Sequence, residues 1–417
     1  MILKIRGIAV SPKYLSIILF ILYPISSLPF IVWGVFNKEK WAFMLFSLFM
    51  GLLAMLYPPA GDLYRYAEDF NLYKTCDWET FQVLLIFKFD YLLPFLSFAI
   101  GKLGGSVELT RFIFASVSYY LLFDLFCLVL KGNELLDSKR IYIYALVILV
   151  PLTFWTFLFR YYFALAFLLN GSYRWIQLRQ KRGVALIVLS VFIHVSYLPF
   201  LFLCFFSGSR FLKFHYIVVV LLCLLVLFCD TTSIGTKILF SLPFSDSLLA
   251  HIAEYIDGSQ SEAIATDFSF KQVIAYVISN LALLYIFFVY LKVYCQNITP
   301  FMCFINGILL MTLLTSSFPH IFTRLISVIL FLTKVALLVW ASKKLIDKYF
   351  KLIFCLTLIT LLMAYWQRRY FLSDSYMYKI FTSTSIGVLT FSYSEKWVDN
   401  HLDEEGDFYS RLKEVGN

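Results

Sequence analysis

Long apolar runs separated by short polar connections follow one another along most of the chain. They fall near residues 14–34, 41–57, 107–130, 141–159, 161–178, 184–206, 214–229, 272–291, 301–317, 321–341 and 352–366, with a weaker run at 91–103. A helix of about 20 apolar residues crosses a bilayer, and most of these runs are close to that length. The pattern therefore predicts an all-α, polytopic integral membrane protein with about 10–12 transmembrane helices.

Composition excludes a soluble protein. The 417 residues are 61% hydrophobic and 15% charged, whereas soluble domains are about 45–50% apolar and 25% charged. We expect one polytopic membrane domain over residues 1–394, followed by a polar, solvated tail at 395–417 with seven acids against three bases. The net charge of +9 includes no long basic run, so we expect membrane lipid and not nucleic acid as a partner.

The positions of the charges predict the sides of the membrane. Basic clusters at 174–182 and 343–351 are typical of cytoplasmic connections. The polar stretches 58–81 and 230–271 are acidic, and we expect both to be periplasmic loops, with the longer 230–271 a candidate lid or binding loop. Counting spans from these loops puts the N-terminus outside.

Two apolar runs do not fit a simple crossing. Basic residues lie on both sides of 184–206, and its middle contains His194 and Pro199. The run is either a re-entrant segment or an ordinary span that violates the charge rule. The run 82–103 contains Lys88, Asp90 and Pro94, and we expect an interfacial or re-entrant helix there.

Three cationic side chains are candidates for binding a diphosphate at the outer face. Arg160 and Arg324 each begin an apolar run on the predicted outer side, and His320 lies one helical turn before Arg324. Guanidinium binds phosphate bidentately and stays charged at physiological pH. The alternatives are an interfacial anchor for Arg160 and a structural ion pair for either arginine.

Candidate acid–base and sugar-binding groups lie elsewhere. His194 is a polar residue in an apolar run, and an ionisable group at membrane depth is a functional hypothesis; the alternative is a buried core histidine. Asp62 suits a general base or simple solvation. Tyr64, Arg65 and Tyr66 follow it and are candidate sugar-binding residues. The chain has no nucleotide-binding or metalloprotease motif, and we expect no cofactor and no metal.

Four local patterns occur in an order that resembles a known family. They are Gly61-Asp62-x-Tyr64, Arg160-x-x-x-Ala164-x-Ala166, Phe192-Ile193-His194-x-Ser196 and Arg324-Leu325-Ile326-Ser327. Together they resemble the EpsG-like group of Wzy-type O-antigen and capsular polysaccharide polymerases. The resemblance implies a multi-pass bacterial inner-membrane glycosyltransferase that joins undecaprenyl-diphosphate-linked oligosaccharide repeat units at the periplasmic face, in lipopolysaccharide, capsule or exopolysaccharide biosynthesis.

The resemblance also implies a mechanism and partners. Transfer would be inverting and metal-independent, with Arg160 and Arg324 holding the donor diphosphate and His194 or Asp62 orienting or deprotonating the acceptor hydroxyl. A chain-length regulator and a flippase are the expected protein partners. Two alternatives stay open: a flippase or transporter of lipid-linked oligosaccharide, and a periplasmic-facing glycosyltransferase that uses a polyprenyl-phosphate sugar.

Overall fold

The fold was obtained as a computed structural model. It describes residues 3–5, 8–86, 88, 90–132, 142, 159–207, 299–314, 325, 328, 329, 331, 332, 334, 335, 351, 354, 355, 357–359, 362, 375–404, 406, 408 and 409. His320, Arg324 and the loop 230–271 lie outside the described residues.

The described chain is mostly helical, as the apolar pattern predicts. A short antiparallel ribbon, β1 (Leu3–Ile5) with β2 (Ile8–Val10), precedes the first helix. The helices are α1 (Pro12–Leu22), α2 (Pro24–Phe36), α3 (Lys40–Met55), α4 (Asp62–Thr75), α5 (Trp78–Ile86), α6 (Leu92–Lys102), α7 (Val107–Gly132), α8 (Phe159–Ser172), α9 (Arg182–Ile193), α10 (Leu198–Phe206), α11 (Pro300–Leu314), α12 (Lys379–Thr382), α13 (Ser385–Leu389) and α14 (Glu395–His401).

Within the described ranges, one helix is long and apolar enough to cross a membrane. This is Val107–Lys131, 25 residues of α7, which coincides with the predicted run 107–130. The predicted first span, 14–34, is instead two helices that meet at Tyr23 and Pro24. Proline has no N–H to continue the hydrogen bonding of α1, so the helix ends before it.

The chain divides into two compact units. The first contains Met1–Trp175, Gln180–Leu198 and Phe350–Asn417, and the second contains Ile176–Arg179 and Pro199–Tyr349. In the first unit α3 packs along α7, α7 along α8, and α8 along α9. In the second, the Leu203 side chain of α10 lies against Gly307 of α11.

Aromatic rings and a glycine bring the helices of the first unit together. Phe114 of α7 stacks on Phe163 of α8 with ring centroids 4.1 Å apart. On the other side of α7, a Cβ added to Gly51 of α3 would lie 2.1 Å from the Ser116 hydroxyl oxygen. Only a glycine lets these two backbones approach so closely.

A polar network ties the end of α8 to α7. Arg174, in the π-helical turn Tyr173–Gln177, forms an ion pair with Asp124 of α7. Asn170 joins both: its Oδ1 accepts from the arginine Nε at 2.6 Å, and its Nδ2 donates to Asp124 at 2.8 Å. The positive charge of Arg174 is thus neutralised by the Asp124 carboxylate.

Residues 375–409, which we call the C-terminal segment, pack onto the end of α3 and the start of α4. Trp397, Leu402 and Phe408 are buried with Ala60 in one apolar cluster. The Gly61 amide donates to the Gly406 carbonyl at 2.9 Å. The expected solvated tail is therefore packed as far as Phe408, because its three apolar side chains are buried against the loop before α4.

Candidate active site

A buried carboxylate lies at the interruption between α5 and α6. Asp90 is only 6% exposed, although it belongs to the apolar run 82–103. Burying a charged carboxylate costs several kcal/mol unless it is paired and hydrogen-bonded. The partners of Asp90 therefore identify the residues that the fold brings to this point.

Asp90 receives donors from two distant parts of the chain. Arg160, at the start of α8, places Nη1 2.8 Å from the Asp90 Oδ2 atom. The backbone amide of Val195 donates to Oδ1 at 2.7 Å. Both carboxylate oxygens are thus bonded, and Arg160 keeps 26% of its side chain exposed. The ion pair that was an alternative for Arg160 is present, with Asp90 as the acid.

His194 joins the same carboxylate. It follows the last residue of α9, where the backbone turns extended, and a 3-10 turn over Val195–Tyr197 comes next. The predicted run 184–206 is thus interrupted at the polar residue expected to mark a turning point. His194 Nδ1 lies 3.6 Å from Asp90 Oδ2, longer than a hydrogen bond, and 3.3 Å from the Ser196 hydroxyl oxygen.

Aromatic rings fix the orientation of the imidazole. The rings of Tyr161 and Tyr197 meet the His194 ring edge-on, with centroids 5.9 and 6.0 Å away. The Tyr197 hydroxyl donates to the Tyr161 carbonyl at 3.1 Å, which ties the 3-10 turn to α8. An oriented imidazole beside a carboxylate is the arrangement of an acid–base residue.

One face of α4 lies next to Arg160 and extends the candidate active site. Arg160 places its guanidinium carbon 5.3 Å from the centre of the Tyr66 ring. Asp69, three residues further, forms an ion pair with Lys88 at 2.9 Å. Tyr73 is 2% exposed, and its hydroxyl has no hydrogen-bond partner among the described residues. Positions 66, 69 and 73 share a helical face, so these polar groups lie along one surface.

The Tyr73 hydroxyl stays protonated at neutral pH. Burial raises its pKa well above the ordinary value of 10, and the negative charge of Asp69 raises it further, while the positive charge of Arg160 lowers it. A neutral phenol can donate a hydrogen bond. The α4 face therefore presents a carboxylate in Asp69 and an aromatic ring in Tyr66, while the neutral Tyr73 hydroxyl is buried.

The structure separates the predicted sugar-binding residues. Tyr66 lies against Arg160, but Tyr64 packs on the cluster of Ala60 and the C-terminal segment, and Arg65 is exposed. Asp62 is the first residue of α4, half-buried, where its charge complements the helix dipole. No described contact joins Asp62 to Asp90. Consecutive helical residues point about 100° apart, so three neighbours cannot share one face.

Asp90 and the α4 face were missing from the candidates drawn from the sequence. The available signal was the charge of Asp90 inside an apolar run, which is the same rule that selected His194. Among the residues that the structure describes, no group of three His, Cys, Asp or Glu side chains is placed to hold a metal ion.

The described part of the chain thus defines a helical, strongly apolar protein in which a buried carboxylate pairs with an arginine and faces a histidine. The chain belongs to the EpsG family, whose family model matches residues 39–382. This range contains Asp90, Arg160 and His194 and ends at the last residue of α12. Searches of curated proteins and of solved structures found no match. Members of the family are membrane proteins, and the family suggests a polysaccharide polymerase of the glycosyltransferase type.

Proposed function

We propose that this protein joins undecaprenyl-diphosphate-linked oligosaccharide repeat units into O-antigen, capsular polysaccharide or exopolysaccharide at the periplasmic face of the bacterial inner membrane. The observation that carries the proposal is the convergence of Arg160 and His194 on the Asp90 carboxylate, at 2.8 and 3.6 Å. Membership of the EpsG family supports the polymerase class.

Arg160 binds the donor diphosphate and stabilises it as it leaves. A guanidinium has five N–H donors in a planar fork, and the ion pair with Asp90 engages it on one side through Nη1. The exposed part of the side chain is available to phosphate oxygens. Arg324, which lies outside the described residues, is proposed as the second diphosphate ligand, with His320 beside it.

His194 removes the proton from the acceptor hydroxyl. The hydroxyl oxygen attacks the anomeric carbon of the donor sugar, a new C–O bond forms, and the bond from that carbon to the diphosphate oxygen breaks. The proton passes to His194 Nε2, and the diphosphate carries away the bonding electrons. Asp90 faces Nδ1 and stabilises the imidazolium that forms.

This displacement inverts the anomeric centre, and the diphosphate leaving group supplies its driving force. Tyr66 and the α4 face contact the sugar rings. We propose that the transfer requires no metal ion. A polymerisation rate that a chelator does not change would support this. Asp62, which no described contact joins to Asp90, is the alternative base; loss of polymer in Asp62→Asn with normal polymer in His194→Gln would favour it.

The test is the polysaccharide ladder of a deletion strain complemented with variants at matched membrane expression. Arg160→Ala and His194→Gln should each reduce the product to single repeat units, and Arg160→Lys should restore it only in part, because lysine binds phosphate as a point charge. Arg65→Ala is the matched control, an exposed arginine, and it should keep the full ladder.

The alternatives give different products. Accumulation of unflipped lipid-linked units with no capped core would indicate a flippase. Single-sugar transfer from a polyprenyl phosphate, dependent on added Mg²⁺ or Mn²⁺, would indicate the other glycosyltransferase. A normal ladder from Arg160→Ala would contradict the proposal.

A further inference from the structure

An open cavity of about 430 Å³ lies on the C-terminal segment, among described residues that the candidate active site does not use. Its lining combines one lysine, two aromatic rings and hydroxyl groups: Tyr376, Lys379, Gly387, Thr390, Phe391, Ser392 and Ser394. Lys379 carries the only charge among these residues. The cavity is therefore a polar space with a positive charge in its wall.

The lysine is held in place by aromatic rings and not by an acid. Its ammonium nitrogen lies 4.2 Å from the centre of the Phe391 ring and 4.9 Å from that of Tyr376. Such cation–π contacts orient a cation without neutralising it. No described carboxylate forms a salt bridge with Lys379. An anion entering the cavity would thus meet a positioned ammonium group that no described carboxylate neutralises.

Apolar side chains are exposed on the same segment. Tyr378, just before α12, Phe381 of α12 and Ile386 of α13 are each more than half exposed. These helices pack against the apolar helices α1, α2 and α3, and the Ser385 hydroxyl donates to the Phe20 carbonyl. Exposed aromatic and aliphatic groups beside apolar helices are typical of a segment at the membrane interface.

We propose that this cavity binds the phosphate group of a membrane lipid. The Lys379 ammonium and the hydroxyls of Ser392 and Ser394 contact the phosphate oxygens, and the lipid chain lies along Tyr378, Phe381 and Ile386. The family model ends at residue 382, so most of the cavity wall is contributed by residues beyond the match. The site is independent of the transfer reaction proposed above.

The test measures binding of soluble probes to the full-length protein purified in detergent. The probes are farnesyl phosphate, farnesol and inorganic phosphate, which separate the head group from the chain. Farnesyl phosphate should bind most tightly, and Lys379→Gln should weaken it about tenfold, as expected for the loss of one charge-assisted contact. Lys396→Gln is the matched control, because Lys396 is exposed on the same segment but does not line the cavity.

A second variant tests whether misfolding explains the weaker binding. Ser392→Asp adds a carboxylate to the cavity lining while Lys379 and its two aromatic partners keep their side chains. It should weaken farnesyl phosphate binding at least as much, with the melting temperature unchanged. Equal binding by wild type, Lys379→Gln and Ser392→Asp would overturn the proposal, as would equal affinity for inorganic phosphate and farnesyl phosphate.

A competition experiment distinguishes the two sources of such a lipid. Displacement of farnesyl phosphate by dihexanoyl phosphatidylglycerol would identify a bilayer phospholipid as the occupant, whereas no displacement would identify a polyprenyl phosphate. Both results support a lipid-phosphate site. Because Arg160 is intact in every variant, failure of this proposal leaves the ladder test of the proposed function unaffected.

Discussion

The Asp90 carboxylate connects three segments that are far apart in the sequence. It pairs with Arg160 of α8, accepts the Val195 amide and faces His194 at the end of α9. A buried carboxylate with these partners positions both functional groups: it pairs with the guanidinium, and it faces Nδ1 of the imidazole. Asp90 therefore acts through Arg160 and His194, as a positioning residue.

Asp90→Asn keeps the size of the side chain and removes its charge. We expect normal membrane expression but polymerisation at least about 10²-fold slower, the scale of general acid–base catalysis. The rate of lipid-linked unit consumption and its pH profile measure this effect, since Asp90 faces the imidazole that takes up the proton in the proposed mechanism.

The control is Glu79→Gln, which removes the charge of an exposed acid on α5 that the candidate active site does not use. Its rate and pH profile should match those of the wild type. Equal rates and pH profiles for wild type and Asp90→Asn would contradict the positioning role.

Buried tyrosines predict sensitivity to alkali. Burial raises the pKa of Tyr73 and of Tyr393 above the ordinary value of 10, so above pH 10 the unfolded chain loses protons that the folded chain keeps. The free energy of unfolding is therefore unaffected by these two tyrosines below pH 10, and it falls as the pH rises above 10. Thermal melts between pH 9 and 11 should show a steeper fall for wild type than for the Tyr73→Phe, Tyr393→Phe double variant; parallel curves would contradict this.

At the scale of elements, interruptions decide what the apolar runs become. The run 14–34 is divided by Pro24, 82–103 by the break around Asp90, and 184–206 by the extended residue His194. The uninterrupted run 107–130 forms the long helix α7. Interrupted helices leave backbone groups unsatisfied, and these groups can bond to a functional side chain, as the Val195 amide bonds to Asp90.

The contact of α8 with α9 depends on two glycines. A Cβ added to Gly183 would lie 2.6 Å from both the Gly171 carbonyl oxygen and the Trp175 amide nitrogen. These are backbone atoms, so the helices must separate. We expect Gly183→Ala to lower the melting temperature and to reduce activity, because α8 begins with Arg160 and α9 ends beside His194.

Gly387→Ala serves as the comparison for this variant. Its added methyl would meet the Thr384 hydroxyl oxygen at 3.3 Å, a side-chain atom, and should be tolerated. Fluorescence-detected size exclusion and thermal melting of both variants measure the difference. A Gly183→Ala protein as stable as wild type would show that the two helices can separate without cost.

At the scale of the whole molecule, the C-terminal segment and the start of α4 must lie on the same side of the membrane. Tyr393 of the C-terminal segment bonds to the end of α3 and to α7. Its hydroxyl donates to the Leu56 carbonyl at 2.7 Å, and its amide donates to Glu108 at 3.4 Å. Glu108 in turn is paired with the buried Arg111, which donates to the Tyr57 carbonyl at 2.6 Å. The charge pattern predicts that 58–81 is periplasmic, so we expect the C-terminal segment on the periplasmic side as well.

This topology is testable by thiol labelling in a background in which all eight cysteines are replaced by serine. Asn400→Cys, exposed on α14, should react with a membrane-impermeant maleimide in intact spheroplasts. Lys181→Cys, exposed in the predicted cytoplasmic turn, should react only after permeabilisation. Labelling in the opposite sense would place the candidate active site on the cytoplasmic side and would contradict periplasmic polymerisation.

Several features were predictable because they depend on local pattern. Apolar periodicity predicted a mostly helical protein and the bounds of α7, and the rule that buried ionisable groups are functional selected Arg160 and His194. The same rule applies to Asp90, whose charge lies inside the apolar run 82–103 and also indicates that this run does not cross the membrane. Tyr64 and Arg65 were grouped with Tyr66 because sequence neighbours were treated as spatial neighbours, which a helix at 62–75 does not allow.

By itself, then, the sequence determined the class of protein, the helical content and the residue types of the centre, since these follow from hydropathy and from the cost of burying charge. Only the tertiary structure decided which acid pairs with Arg160, which face of α4 adjoins it, and that the tail packs as far as Phe408. Pairings such as Asp90 with Arg160, or Tyr393 with Leu56, join residues far apart in the chain. Packing of the whole helical unit selects these pairings, and no local sequence pattern encodes them.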